Sequence, residues 1–286
     1  MHKSAKKLKE NFIDFISTLI FIPVVLLFSR KSKYPELKIE NDCLIIGNGP
    51  SLLRDIEKID AFSTRFDKIC VNYFGESDLF VKLKPKIYVI YDPGFWEPAN
   101  EEMLIKTGEL FKKIIKETTW EMYFFAPFQF KKNKFYINST NKHIKFVFFN
   151  AISIDGFPGF IRFCLTHRLG MPRASNVIIP SLVFAIDLGY KKIFLSGVDH
   201  SWHQEIEVKS DSKVYVVHKH FSGNHSKPVP IYLIPGDSES TTMHRLFLTW
   251  ANLFKGYELI NDFAVRKQVE IFNLTENSFI DAFKKI

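Results

Sequence analysis

A chain of 286 residues has room for one large α/β domain or two small ones, and its 46% apolar and 24% charged shares are those of an ordinary globular protein. The formal charge of +8 is uneven: residues 1–38 hold eight basic and three acidic side chains, so +5 of it flanks an apolar run and does not line a nucleic-acid groove. Cys43, Cys70 and Cys164 lie in apolar stretches without paired spacing, which argues against a disulfide-built secreted domain and offers no cysteine zinc site.

In chain order, the first element is the apolar run 12–29, FIDFISTLIFIPVVLLFS, with lysines before it and RKSK after it. About 20 apolar residues cross a bilayer, so this run predicts a helix that spans a membrane or lies in its surface, with a buried core helix as the alternative. RKSKYPEL is no small-residue cleavage site, which disfavours a signal peptide. The flanking cations suit anionic headgroups, and their presence on both sides leaves the orientation unset by the positive-inside rule. Residues 1–38 are therefore read as a membrane-associated helix with a basic linker, and 39–286 as the α/β domain.

That domain alternates short apolar runs with helical stretches. Strands are predicted at Cys43–Ile46, Lys68–Asn72, Ile87–Tyr91, Met122–Ala126, Lys145–Phe149, Lys192–Ser196 and Glu270–Asn273. Helices are predicted from Leu52 to Ile56, and at about Asn100–Glu117, Val177–Leu188, Thr242–Lys267 and Ser278–Lys285. Trp202–Gly236, with mixed charge and several Gly and Pro, reads as an excursion or lid. The pattern implies a mainly parallel, Rossmann-like sheet covered by helices on both faces.

The stretch DCLIIGNGPSLL, Asp42–Leu53, carries the strongest local signal. A buried strand turns through Gly47-Asn48-Gly49-Pro50-Ser51 into a helix whose first N–H groups lack helical partners, a corner that attracts anions such as phosphate. A third glycine of the dinucleotide fingerprint is missing, since position 52 is Leu52, and no Walker A loop is present. Other predicted strands also end in polar or turn residues: Asn72, Asp92-Pro93-Gly94 and Gly197-Val198-Asp199. In a parallel sheet such ends share one edge, so separated stretches converge on one crevice. Asparagine amides both donate and accept hydrogen bonds, which suits ribose and base edges.

The GNGPSL corner, the asparagine of VNYF, the YDPGFW strand end and above all LGYKKIFLSGVD resemble the bacterial sialyltransferases of glycosyltransferase family 42. They are equally similar to the related 6-hydroxymethylpterin diphosphokinase-like proteins, a group that includes the flagellin-modifying Maf proteins. The resemblance covers residues 42 to about 283 and implies a sialyltransferase-like variant of the GT-A fold. It implies a metal-independent, inverting transferase with no cofactor, taking a nonulosonic acid from a CMP-sugar to a hydroxyl of a surface glycan or lipooligosaccharide. On it, Gly47, Asn48, Gly49, Pro50, Ser51, Asn72, Asp92, Pro93, Ser175, Asn176, Gly197, Val198 and Asp199 match the nucleotide-binding positions, with Asp92 standing where those enzymes carry an asparagine. Arg173 opens the segment that matches their arginine turn. The family's histidine base before the last long helix corresponds most nearly to His244, with Arg245 beside it, and its lid to Trp202–Gly236.

His200, His203, His218, His220 and His225 fall near that lid on no recognisable ligand scaffold, so no metal site is expected. The expected partners are a nucleotide-sugar, a glycan or glycolipid acceptor and the membrane surface, at the cytoplasmic face of a bacterial inner membrane; homo-oligomerisation is left open. Two rival readings stand beside this one: an ATP- and Mg²⁺-dependent pterin pyrophosphokinase, and a membrane-tethered binding or assembly factor without turnover.

Overall fold

The short apolar runs become the strands of one sheet in a computed structural model of the chain, which describes residues 2–58, 64–173, 176–217, 228–232 and 240–286. They are β1 Asp42–Ile46, β2 Phe66–Val71, β3 Ile87–Val89, β4 Met122–Pro127, β5 Ile144–Phe149, β6 Lys192–Ser196, β7 Glu270–Asn273 and β8 Lys284–Lys285. Their order is β8-β7-β6-β1-β2-β3-β4-β5, and every neighbouring pair is parallel. Alternate side chains of β1 point to opposite faces. Cys43 and Ile45 enter a core shared with the helices Ile178–Leu188 and Met243–Arg266, while Leu44 and Ile46 enter one shared with Leu52, Leu110 and Ile114. Burial on both faces is why these strands read as unbroken apolar runs.

Short-range chemistry sets where the helices begin and end. Asn100 caps the helix Glu101–Glu117 by accepting the Met103 N–H at 2.8 Å, and Thr242 caps Met243–Arg266 by accepting the Arg245 N–H at 3.4 Å. Gly189, at φ +101°, ends Ile178–Leu188.

One sequence expectation changes. Ser278–Lys285 is not a helix: the Phe279 N–H donates to the Asp199 carbonyl at 2.9 Å, Ile280 and Phe283 are buried, and Lys284–Lys285 pairs alongside β7. An eight-residue run is too short to hold a helix by itself, and a free sheet edge offers its backbone better partners. The expected excursion contains a short 3₁₀ turn, Trp202–Glu205, and a small antiparallel sheet of Ile206–Val208, Val214–Val216 and Val229–Pro230. His218, His220, His225 and Gly236 lie outside the described residues. The sequence reading also passed over the helix Pro158–Thr166, which begins with proline in its first turn.

The N-terminal helix runs from His2 to Phe28, and its stretch Asn11–Phe28 is long and apolar enough to cross a membrane, with 6% of that stretch buried.

Candidate ligand-binding site

From β1 to β5 the chain steps outward in one direction, and it then returns to lay β6 on the other side of β1. The order reverses between β1 and β6, and the connections leaving the two strands diverge there to open a crevice at their carboxyl ends. A cavity of about 170 Å³ occupies that point. Its lining brings together Gly47, Asn48, Gly49, Pro50, Asn72, Asn176, Gly197, Val198 and Asp199, from four separated stretches of sequence.

The two loops at the reversal are locked by backbone contacts. Gly47 N–H donates to the Ser196 carbonyl and Gly49 N–H to the Gly197 carbonyl, both at 2.8 Å. No side chain fits at Gly49, where a Cβ would lie 1.9 Å from Asp199 Oδ2 and 2.6 Å from the Gly197 oxygen. Gly197 itself has φ +64°, a left-handed conformation suited to glycine.

Ser51 lies at the mouth of the helix Leu52–Lys58. Its hydroxyl bridges Asp199 Oδ2 at 2.9 Å and Asp55 Oδ2 at 3.0 Å, and its N–H points at Asp199 Oδ2 at 3.4 Å. The anion expected at this corner is thus already supplied from within the protein by the Asp199 carboxylate. Gly49 and Ser51 spend their N–H groups on protein acceptors and Pro50 has none, which corrects the expectation that Gly49–Ser51 cradle a phosphate with free backbone donors. Burial raises the Asp199 carboxyl above the usual range, the Ser51 contacts pull it back, and neighbouring Asp55 adds to the rise. Ser51→Ala is therefore expected to raise the Asp199 pKa further. It should also cost about 1.5–3 kcal/mol, the range for a hydrogen bond to a charged group, read by carboxyl titration in NMR and by denaturant unfolding.

The three asparagines of the lining share one habit. Asn48 donates through Nδ2 to the Val71 carbonyl at 3.2 Å, leaving its buried Oδ1 without a partner among the described residues. Asn72 (φ +46°) accepts the Tyr91 N–H at 3.1 Å and Asn176 accepts the Ile178 N–H at 2.7 Å, each through Oδ1. One end of every amide is thus spent on a backbone group, and the other ends give the site one acceptor and two donor groups with no bond to a described residue. Asn176, Val177 and Ile178 also bring the start of the buried helix Ile178–Leu188 to the crevice, a second positive dipole end.

Other expected site residues lie elsewhere. Asp92 accepts the Gly94 N–H at 2.8 Å as the cap of the turn Pro93–Phe95, and neither Asp92 nor Pro93 lines the cavity. The Arg173 guanidinium stands 5.9 Å over the Phe21 ring of the N-terminal helix. His244 and Arg245 are exposed on the first turn of Met243–Arg266, outside the lining. Ala174 and Ser175 lie outside the described residues. The polar strand ends missed His200, Ser201, Trp202 and Glu205, which also line the cavity. His200, 5% exposed with φ +54°, pairs its Nε2 with the Tyr257 hydroxyl at 2.6 Å and packs its ring 4.5 Å from that of Trp202. Burial holds its pKa down to about 3, so the ring is neutral. The signal for these residues was their position immediately after the SGVD strand end.

Fold and crevice together define an α/β protein with a parallel sheet and a cavity at the topological switch point, lined by amide groups and two carboxylates, Asp199 and Glu205. No family model and no curated protein matches the chain. Among solved structures, a MAf glycosyltransferase from Magnetospirillum magneticum AMB-1 is similar at a TM-score of 0.48 and 12% identity, over 90% of this chain and 35% of that one. A likeness that remote carries no argument for activity.

Proposed function

We propose that the chain is a sialyltransferase-like glycosyltransferase of the bacterial inner membrane, working on the cytoplasmic side. It transfers a nonulosonic acid from a CMP-sugar to a hydroxyl of a surface glycan or lipooligosaccharide without a metal. One observation carries the reading: Gly47–Pro50, Asn72, Asn176 and Gly197–Asp199, the positions that resemble the nucleotide site of those enzymes, line one cavity. The bond from the anomeric carbon to the phosphate oxygen breaks as the acceptor oxygen bonds to that carbon. The nucleotide leaves as an anion, stabilised by the donor ends of Asn72 and Asn176 and by the dipole of Ile178–Leu188. The acceptor proton goes to Glu205, the lining carboxylate at the end of Trp202–Glu205, in preference to surface-exposed His244. A cavity of about 170 Å³ takes the base and ribose, and the sugar projects past the small antiparallel sheet.

A second reading, an ATP- and Mg²⁺-dependent pyrophosphokinase, draws on one feature: the described lining holds two carboxylates and no Lys or Arg, a set suited to a cation-bridged phosphate. Thermal-shift and transfer assays with CMP, UDP, GDP and ATP, each with Mg²⁺ and with EDTA, separate the two. The expected result is stabilisation by CMP in EDTA, about 2.7 kcal/mol at a hundredfold excess over Kd, with CMP-sugar turnover lost in Glu205→Gln. Stabilisation by ATP only when Mg²⁺ is present would assign the second reading.

A further inference from the structure

The N-terminal helix presents two unlike faces. Towards the body, Thr18 Oγ1 accepts the Phe157 N–H at 2.9 Å, the Phe15 and Phe157 rings lie 6.5 Å apart, Phe21 sits under Arg173, and Val25 is 5% exposed in the core. Just beyond the helix, Ser29 Oγ donates to the Leu169 carbonyl at 2.6 Å. Positions 15, 18, 21 and 25 follow helical spacing and form one stripe. The approach is close: Gly156 has φ +130°, and a Cβ there would meet Thr18 Oγ1 at 2.3 Å. On the opposite side Ile13, Ile16, Ile20 and Leu27 are 51%, 40%, 57% and 76% exposed.

We propose that this helix lies flat in the surface of an anionic lipid bilayer, with the folded body against one face and acyl chains against the other, and does not cross the membrane. The inference rests on the membrane-associated reading above and decides its geometry. A crossing helix in this docked position would draw Arg173 and the ion pair of Asp155 with Lys255 (3.6 Å) towards hydrocarbon, where charged groups are strongly disfavoured. Lying flat, the helix keeps them at headgroup depth. Arg173 lines one small groove with the Asp155–Lys255 pair next to the Phe21 contact, adding a cation to Lys9, Arg30, Lys31 and Lys33 at the ends of the apolar run. That charge selects lipid over a second copy of the chain, because pairing two such helices would bring together two segments of +5 each, whereas anionic headgroups attract them.

The test uses the full chain with Lys9→Cys or Lys112→Cys, whose labelling is selective because Cys43, Cys70 and Cys164 are buried. Membrane vesicles of known sidedness are treated with an impermeant maleimide, and the purified chain is floated with vesicles of phosphatidylcholine alone or with phosphatidylglycerol added. The expected result is that both cysteines label from the same face and that binding falls roughly tenfold without the anionic lipid. Labelling of Lys9→Cys from the face opposite to Lys112→Cys would overturn the flat placement while leaving membrane attachment intact. No binding to either vesicle and no membrane fraction in cells would overturn both. A soluble dimer dissociated by Ile20→Asp with Leu27→Asp would give the helix to a second copy instead.

Discussion

Gly49→Ala is expected to weaken nucleotide binding by roughly tenfold or more, equivalent to about 1.4 kcal/mol per decade, and to lower stability by about 1–3 kcal/mol. The added methyl has no room. It would stand 1.9 Å from Asp199 Oδ2 and 2.6 Å from the Gly197 carbonyl, and that carbonyl is the acceptor for Gly49 itself. To admit it, the loops after β1 and β6 must part, which breaks the Gly49–Gly197 bond and pulls Asp199 from Ser51. Both loops line the cavity, so binding and stability fail together. Gly108→Ala is the control: it lies on the helix Glu101–Glu117 with nothing within 4 Å of the new Cβ, and should be neutral or slightly stabilising. Calorimetric titration with CMP and urea unfolding of both variants check the pair. Normal binding by Gly49→Ala would mean that the locked corner does not shape the site.

Stability is expected to carry a term that is lost in acid, and His200 is its source. The groups packed round its ring, Trp202, Phe254 and Tyr257, are uncharged, and burial holds its folded pKa down to about 3 against an ordinary value near 6.5. Between those values the unfolded chain binds a proton that the native state refuses. The contribution is therefore complete above about pH 6.5 and is lost as pH falls towards 3. Over roughly 3.5 pH units at 1.36 kcal/mol each it amounts to about 5 kcal/mol. Asp187 runs the other way. Burial raises it to about 6 against the pull of the Arg168 guanidinium, so its term is complete below about 3.8 and is lost as pH rises through 6. The difference between wild type and His200→Asn isolates the histidine, and asparagine tolerates the φ of +54°. Urea midpoints from pH 4 to 7 should converge in acid, and a constant gap between the two proteins would remove His200 as the source.

Local order along the chain was enough for seven of the eight strands of the sheet. β6 and β7 begin and end where their apolar runs do, and Asn100, Thr242 and Gly189 mark helix boundaries through bonds or backbone angles a few residues long. The strand-end residues of β1, β2 and β6 were legible for the same reason, because parallel strands of one sheet must bring those ends to one edge. Asp92 was not: its neighbour Gly94 offers an N–H at 2.8 Å, and the side chain serves its own turn.

The sequence by itself therefore determined the alternating elements, the glycine corner and the polar edge, since each depends on interactions within a few residues. Tertiary structure alone decided that Asp199, 148 residues from Ser51, fills the corner's helix mouth, that His200 is buried neutral against Tyr257, and that Ser278–Lys285 joins the sheet. It also left Arg173 and His244 outside the cavity. Those outcomes depend on which loops pass within bonding distance after the sheet has assembled, and no short stretch of chain encodes that distance.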